Sequence, residues 1–546
     1  MTSSTVQSAN FTQLTTLTFL QRSAEVYPSK LAIVYGTRAY TYREFLVVVE
    51  ELARAIRADI RQGDRVAFLA PNVPELLIAH YAVPLAGGVL VAVNSRLAPD
   101  EVATILRHSE ATMLFIDAEL SSSLGDARFL SPALDVVVEI ADPEFGSPAG
   151  TTDYGYPSFD DYLERAAPDS EPLAWQIDDE LATISINYTS GTTGAPKGVM
   201  YSHRGAYLNA LGEMHHTALT STSVFLWTLP MFHCNGWCMP WAVTAAGGTH
   251  ICLRAVRSEA VWQAIDEFDV SHLCGSPTVC STIANGPEAH PLDRPLRITT
   301  AGAPPTPTVL EQLDALRISV VHVYGLTEVY GPYTVCEYHE EWDLLSPEAR
   351  TRKLARQGVA MVQADPVRVV DKDMADVPRD GVTLGEIVMR GNNVMTGYFK
   401  DPEATADAFA GGWFHSGDLG VMHEDGYIEV KDRAKDIVIS GGENISTVEV
   451  ENALSSHPAV LDVAVVGYAN EKWGERPKAY VLLRPDHRAS EQELRDHART
   501  SIAGYKVPDY VVFVDELPRT ATGKVTKAVL RRLSDMPESA TARTTT

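Results

Sequence analysis

Eleven consecutive residues, Tyr188-Thr-Ser-Gly-Thr-Thr-Gly-Ala-Pro-Lys-Gly198, have the composition of an oxyanion site. Gly191, Gly194 and Gly198 let the backbone approach a ligand closely, because no Cβ stands in the way. Thr189, Ser190, Thr192 and Thr193 add four hydroxyls, and Lys197 adds a positive charge. Exposed backbone N–H groups in such a loop donate to phosphate oxygens. The alternative for the same residues is an ordinary Gly/Thr-rich connection. Other signatures are missing. No two glycines are separated by a single residue, which removes the dinucleotide fingerprint, and the one Gly-Lys step, Gly523-Lys524, is followed by Val525 instead of a hydroxyl residue. Neither a G-x-S-x-G nucleophile turn nor an HExxH zinc motif occurs.

A loop of this kind has to be held by regular elements. Thr183-Ile-Ser-Ile-Asn187 predicts a strand leading into it, and a helix is expected directly after it, the setting in which a helix N-terminus supports an anion. Elsewhere β-branched runs alternate with helical spacing: a strand over Arg65–Ala70, a helix over Pro74–His80, a strand over Val89–Val93 and a helix over Pro99–His108. Repeated units of this length imply parallel sheets covered by helices. The uncharged stretch Leu76–Val93 carries His80, Pro84 and Gly87-Gly88, and reads as a buried helix turning into a buried strand rather than a membrane span. Residues 142–175, rich in Pro, Gly, Asp and Ser, are expected to be a surface excursion. From about Gly381 closely spaced strands and glycine turns take over, among them Gly385–Arg390 and Gly426–Val430. After Lys435 a fresh α+β pattern begins: helix Thr447–Ser456, strands Val460–Val466 and Lys478–Leu483, helix Glu491–Ala503 and strand Tyr510–Val514.

The chain has 546 residues, 45 Lys+Arg against 71 Asp+Glu, and hence a net charge of −26. That length exceeds one core and implies two to four domains. The acidic balance argues against nucleic acid as a partner, since such proteins carry a basic footprint. The six cysteines, Cys234, Cys238, Cys252, Cys274, Cys280 and Cys336, form no C-x-x-C pair and fit a reducing compartment. Residues 1–20 show no basic segment followed by an apolar core, and Arg543–Thr546 is not a peroxisomal tripeptide, so the cytoplasm is the expected location.

At the Tyr188–Gly198 loop the chain resembles the acyl-adenylating superfamily of acyl-CoA synthetases, nonribosomal adenylation domains and firefly luciferase. The resemblance continues in order through Pro230-Met-Phe-His-Cys-Asn-Gly-Trp237, Ala301-Gly-Ala-Pro304, Val323-Tyr-Gly-Leu-Thr-Glu328, Gly385-Glu386 with Gly397-Tyr398, Trp413-Phe-His-Ser-Gly-Asp418, Asp432-Arg-Ala-Lys-Asp436, Ser440-Gly-Gly-Glu-Asn-Ile445 and Pro518-Arg-Thr-Ala-Thr-Gly-Lys524. It implies an α/β fold: a large N-terminal domain, 1–434, of two parallel-rich sheets packed with helices plus a β-barrel-like subdomain, and a small mobile α+β domain, 435–546.

The implied reaction activates a carboxylate by giving it AMP as leaving group, then passes the acyl group to a thiol. ATP, Mg²⁺ and CoA are the implied cofactors. The resemblance implies that Thr189, Ser190, Gly191, Thr192, Thr193, Gly194 and Lys197 hold the β,γ-phosphates. Thr327 would touch the α-phosphate and Glu328 would hold Mg²⁺, a hard cation that takes carboxylate, phosphate and water oxygens. Asp418 would accept both ribose hydroxyls with Arg433 nearby, and Gly302, Ala303 and Tyr324 would line the adenine. Lys524 would neutralise charge building between carboxylate and α-phosphate, and Lys435 would be the hinge of a domain alternation. Ser440, Gly441 and Gly442 would then border the thiol's tunnel; the same three residues also suit an ordinary glycine turn. If the cleft binds polyanions against the net charge, Lys197, Arg433, Lys435 and Lys524 are where its cations should gather.

His233, Gly236 and Trp237 border the implied acyl site. Amino-acid-activating relatives place an Asp where His233 stands, so a non-amino acid is expected, either fatty or bulky and hydrophobic. Gly236 is expected to widen the pocket; Trp237 is either a gate or core packing. No carrier-protein or condensation motif follows the small domain, which favours CoA as acceptor, with a carrier protein in trans as the alternative. A non-catalytic nucleotide sensor is the rival outside enzymology, and it would be expected to have lost Glu328 or Lys524. A homodimer is one assembly left open.

Overall fold

The structure is a computed structural model, and it describes residues 9–146, 154–165, 172–189, 196–302, 307–433, 436–440, 443–470, 472–519 and 525–534. The chain forms two compact units, Met1–Val367 with Met389–Phe414, and Arg368–Val388 with His415–Thr546. Lys435, the expected hinge, lies outside the described residues.

Two parallel-rich sheets build the large unit. One has seven strands in the order Gly397–Tyr398, Lys197–Ser202, Thr183–Thr189, Val89–Val93, Arg65–Leu69, Ala111–Asp117 and Val136–Ile140. Its last five strands run parallel, and the first two are antiparallel additions at one edge. The other has nine strands and is parallel from Ile318–Leu326 through Leu31–Tyr35, with antiparallel strands at both ends. Buried Val, Ile and Leu side chains on the sheets and their covering helices form the cores, among them Val91, Leu114, Ile116 and Ile186 on the seven-stranded sheet.

The stretch Leu76–Val93 behaves as its composition requires. Pro74–Leu85 is a helix buried on every face, and after Gly87-Gly88 the chain enters the fully buried strand Val89–Val93. Fully burying each of its large aliphatic side chains is worth about 1.5–3 kcal/mol, ample to hold a twelve-residue helix. No helix among the described residues is long and apolar enough to cross a membrane.

Two expectations change. The segment after the Tyr188–Gly198 loop is a strand, Lys197–Ser202, antiparallel to Thr183–Thr189, and the helix His203–His216 starts only after it, capped by the Ser202 side chain. The loop therefore bridges a hairpin, and a helix N-terminus does not follow it directly. Residues 142–175 are not purely superficial either. Within them a capped turn of helix, Phe159–Leu163, buries Tyr162, whose hydroxyl donates to the Ala55 carbonyl and the Asp59 carboxylate.

A buried ion cluster clamps the two sheets. Arg254, just past the strand Thr249–Ile251, donates to both oxygens of Asp117 at 2.8 and 2.9 Å and to Asp142 at 2.9 Å. Tyr35 of the nine-stranded sheet donates to the same Asp142 oxygen at 2.5 Å. Asp117 and Asp142 are almost inaccessible to solvent.

The small unit contains a four-stranded sheet, in the order Arg368–Val370, Gly385–Met389, Phe414–Met422 and Ile428–Arg433; the barrel-like part was expected within the large domain, 1–434, whereas most of these strands group with the C-terminal residues. It also contains a five-stranded sheet with the helices Thr447–Ser455 and Glu491–Arg499, close to those read from sequence, and a further helix, Lys527–Ser534, that was not expected. The expected helix to Ala503 ends at Arg499, and the strands Val460–Asn470 and Gly474–Leu483 are longer than expected because they pair along ten residues.

Removing Arg254 leaves two buried carboxylates, Asp117 and Asp142, without their cation, which costs about 3–5 kcal/mol. The variant Arg254→Met should unfold at markedly lower urea concentration than the parent. An unchanged midpoint would show that water or local rearrangement replaces the clamp.

Candidate active site

Three chain segments of the large unit converge. The strand Ile318–Leu326 ends in a single turn, Thr327–Val329, which presents Thr327 and Glu328. Both backbone carbonyls of that pair are held: Tyr201 donates its hydroxyl to Thr327 O at 2.6 Å, and the Met395 N–H donates to Glu328 O at 2.8 Å. The Tyr398 hydroxyl donates to Glu328 Oε1 at 2.9 Å. Beneath Lys197, whose Nζ lies 4.5 Å from the ring centroid, is that same Tyr398 ring. Burial, followed by the Glu328 charge, raises the Tyr398 phenol well above its ordinary range, so it stays a donor. Burial does the same to Tyr201.

The second segment is Cys234 to Cys238, five successive residues with φ between +42° and +59°. Four of them are not glycine, and each left-handed L-residue costs roughly 1–2 kcal/mol. A buried polar network holds the turn. The Asn235 N–H donates to Asn187 Oδ1 at 3.0 Å, while Asn235 Oδ1 accepts from Ser185 Oγ at 2.5 Å and Asn187 Nδ2 at 2.6 Å. The Asn235 amide nitrogen lies 3.2 Å from His80 Nε2, and His80 Nδ1 lies 2.7 Å from the Leu76 carbonyl. Burial lowers the His80 pKa to about 4, so the ring is neutral: Nδ1 donates to the carbonyl and Nε2 accepts from Asn235. The left-handed turn brings Cys234 Sγ to 3.2 Å from Thr327 Oγ1.

Gly236 does not widen a pocket. A Cβ there would come within 2.8 Å of the Trp227 ring, so the missing side chain is already filled by an indole. Trp237 is 6 % exposed and packs against Gly331, where a Cβ would come within 2.7 Å of its ring. His233 precedes the turn and is partly exposed.

The third segment is the hairpin. Thr189 pairs with Lys197 at the ends of its two strands, and Gly397-Tyr398 pairs with Val199 and Met200 on the other edge. Ser190, Gly191, Thr192, Thr193 and Gly194 lie outside the described residues, as does Ala303. Gly302 is exposed with φ +104° just past the strand Leu296–Thr300, and Tyr324 lies in the strand that leads to Thr327.

In the small unit Asp418 and Arg433 are cross-strand neighbours, with Nε 3.1 Å from Oδ1. The Asp418 turn is shaped by Glu386, which accepts from the Gly417 N–H at 3.0 Å and lies 2.8 Å from the His415 ring. Ser440 ends the strand Val438–Ser440 opposite Glu443 and Gly474. Gly441, Gly442 and Lys524 are outside the described residues.

The structure thus joins Thr327, Glu328 and Lys197 with the His233–Trp237 segment, and separately joins Asp418 with Arg433. Sequence reasoning did not single out Tyr398, Tyr201 or the Asn235–His80 network. Gly397-Tyr398 was visible as a motif without a role; nothing in local spacing marks Tyr201. Glu328 offers hard carboxylate oxygens, one of which accepts from the Tyr398 phenol, so the residues present fit a Mg²⁺–phosphate group.

Residues 20–399 match the model of the AMP-binding enzyme family, and residues 449–524 match that of the AMP-binding enzyme C-terminal domain. The chain belongs to the AMP-binding enzyme family. It is 45% identical to an acetate–CoA ligase of Humulus lupulus, over 96% of this chain and 95% of that one. It is 39% identical to a trans-cinnamate:CoA ligase of Petunia hybrida, described as peroxisomal, over 96% and 95% of the two chains. Among solved structures it is similar to O-succinylbenzoate coenzyme A synthetase of Bacillus subtilis in complex with ATP and magnesium ion, with a TM-score of 0.79, 27% identity and coverage of 93% of this chain and 98% of that one. Within the family the protein is an AMP-forming acyl-CoA synthetase that takes a carboxylic acid, ATP, Mg²⁺ and CoA.

His80 is held near pKa 4, against an ordinary 6.5, and burial likewise lowers His203, His272 and His322 to about 4. Depressed folded-state values mean that the unfolded chain binds more protons between pH 6.5 and 4, so stability falls as pH drops through that window. Urea midpoints should be level just above pH 6.5 and decline below it, less steeply in His80→Gln. A midpoint that rises on acidification to pH 5 contradicts the neutral assignment.

Proposed function

We propose that this acyl-CoA synthetase activates a short-chain or aromatic carboxylic acid, rather than a fatty acid. The observation that carries this reading is the acyl wall: Trp237 is closed against Gly331, and the space at Gly236 is filled by Trp227. A long alkyl chain would have to displace packed indoles, whereas a two- to four-carbon or flat aryl acid would not. The names of the acetate- and cinnamate-activating relatives support the same range.

In the proposed mechanism ATP with Mg²⁺ supplies an electrophilic α-phosphorus and a pyrophosphate leaving group. Lys197 and the Thr189–Gly194 segment bind the β,γ-phosphates, and Thr327 donates its hydroxyl toward the α-phosphate. Glu328 holds the metal. Asp418 accepts the ribose hydroxyls beside Arg433, while Gly302, Ala303 and Tyr324 border the adenine. The acid's carboxylate attacks the α-phosphorus, the bond to pyrophosphate breaks, and Lys524 compensates charge in that transition state. CoA thiolate then attacks the acyl carbon and AMP leaves with the bridging oxygen. Lys435 is proposed as the hinge, and Ser440, Gly441 and Gly442 as the glycine-bordered path for the pantetheine arm. Six free, buried thiols support a reducing compartment, and the cytoplasm is the one proposed.

Pyrophosphate release should be fast with acids of two to four carbons or one aryl ring and negligible with acids of twelve carbons or more. Trp237→Ala should extend turnover to longer acids while losing about 3–5 kcal/mol of stability. A parent enzyme that favours long acids overturns the assignment. Lys524→Ala should slow adenylation by about 10²–10³-fold yet leave transfer from a supplied acyl-adenylate to CoA intact. Equal loss in both half-reactions would remove Lys524 from its role.

A further inference from the structure

We infer that Tyr398 is a positioning residue that sets the metal-binding carboxylate and the phosphate-binding ammonium in fixed register. The inference rests on the proposed roles of Glu328 and Lys197 and assigns how the two are held. One side chain touches both: the hydroxyl donates to Glu328 Oε1 at 2.9 Å, and the ring lies under Lys197 Nζ at 4.5 Å.

Neither group is placed by its own backbone alone. Glu328 stands on a three-residue turn at the end of a strand, and a glutamate has three side-chain torsions to fix. The turn's backbone is pinned by Tyr201 and by the Met395 N–H, and the carboxylate is met by the Tyr398 phenol. Lys197 is a long, flexible cation at the mouth of a hairpin, and an aromatic face confines it without neutralising it. A carboxylate in place of that ring would pair the lysine and reduce its pull on phosphate; a phenol does not.

Tyr398 is itself rigidly mounted. It pairs with Val199 at the edge of the seven-stranded sheet, and its N–H donates to Thr405 Oγ1 at 2.9 Å. Thr405 is in turn tied to the Asp401 carbonyl at 2.7 Å. Beside it, the φ of +150° at Gly397 brings the chain over Thr405, with no room for a Cβ. The same strand, Lys197–Ser202, carries Lys197 at its start and Tyr201 near its end, so one strand and its edge partner supply both tyrosine contacts to the Thr327–Glu328 turn and the lysine that lies over Tyr398. Partners that orient a metal-binding carboxylate govern metal affinity even though they never touch the ion.

The test is equilibrium binding of ATP by calorimetry, without any acid, over a Mg²⁺ series, for the parent, Tyr398→Phe, Glu328→Gln, the double variant and Tyr398→Leu. Tyr398→Phe keeps the ring under Lys197 and removes only the hydroxyl. It should weaken the Mg²⁺ half-saturation point about tenfold with metal-free ATP affinity unchanged. Glu328→Gln should weaken it at least as much, and the double variant no further, because both changes remove one arrangement. Tyr398→Leu should in addition weaken metal-free ATP binding. If Glu328→Gln is impaired while Tyr398→Phe matches the parent, the inference about Tyr398 is overturned and the role of Glu328 stands. If Glu328→Gln itself shows the parent's Mg²⁺ dependence, the reading of Glu328 fails and the inference falls with it.

Discussion

A single turn, Thr327–Glu328, fixes where the large unit can place charge. Besides the turn's own Tyr330 N–H to Thr327 O bond, the surrounding architecture supplies restraints: two tyrosine hydroxyls, the Met395 N–H and the thiol of Cys234. A phosphoryl-type transfer is governed by position and charge more than by covalent groups. The seven-stranded sheet serves that need by adding two antiparallel strands, Lys197–Ser202 and Gly397–Tyr398, to an otherwise parallel edge. Those strands carry Tyr201 and Tyr398 to the turn and hold Lys197 over the Tyr398 ring.

Local strain has been accepted on the other side of the site. The left-handed run Cys234–Cys238 would not persist in a free peptide, and it survives because Asn235 is locked to Ser185, Asn187 and His80 inside the core. The neutral His80 is what lets the network close: a protonated ring would have no acceptor nitrogen for the Asn235 amide. Strain concentrated at a site and held by a surrounding core is the usual arrangement where geometry matters to chemistry. Here it sets the distance from Cys234 to Thr327 and places Trp237 against Gly331.

Much of the fold was legible because its signals are local. The run Leu76–Val93 lacks charge and contains a glycine pair, and it is a buried helix followed by a buried strand, as that pattern demands. The strand at Lys197–Ser202 was missed because it is held between its hairpin partner Thr183–Thr189 and Gly397–Tyr398, the latter some two hundred residues away, and local spacing does not register that second pairing. Gly236 misled for a related reason: a glycine in sequence looks like space, and only the packed structure shows Trp227 occupying it. Lys197, Thr327, Glu328, Asp418 and Arg433 were singled out as candidates from ordered motifs, and Asp418 and Arg433 form an ion pair. Tyr398, which joins two of them, has a role that exists only in three dimensions.

In the proposed mechanism the acid's own carboxylate attacks the α-phosphorus at the site organised around Thr327 and Glu328. Isotopic labelling tests it directly. With a short acid carrying ¹⁸O in its carboxylate, and ATP, Mg²⁺ and CoA, mass spectrometry of the products should find one labelled oxygen in AMP and none in pyrophosphate. Label in inorganic phosphate, or ADP in place of AMP, would mean attack at the γ-phosphorus and would contradict the account.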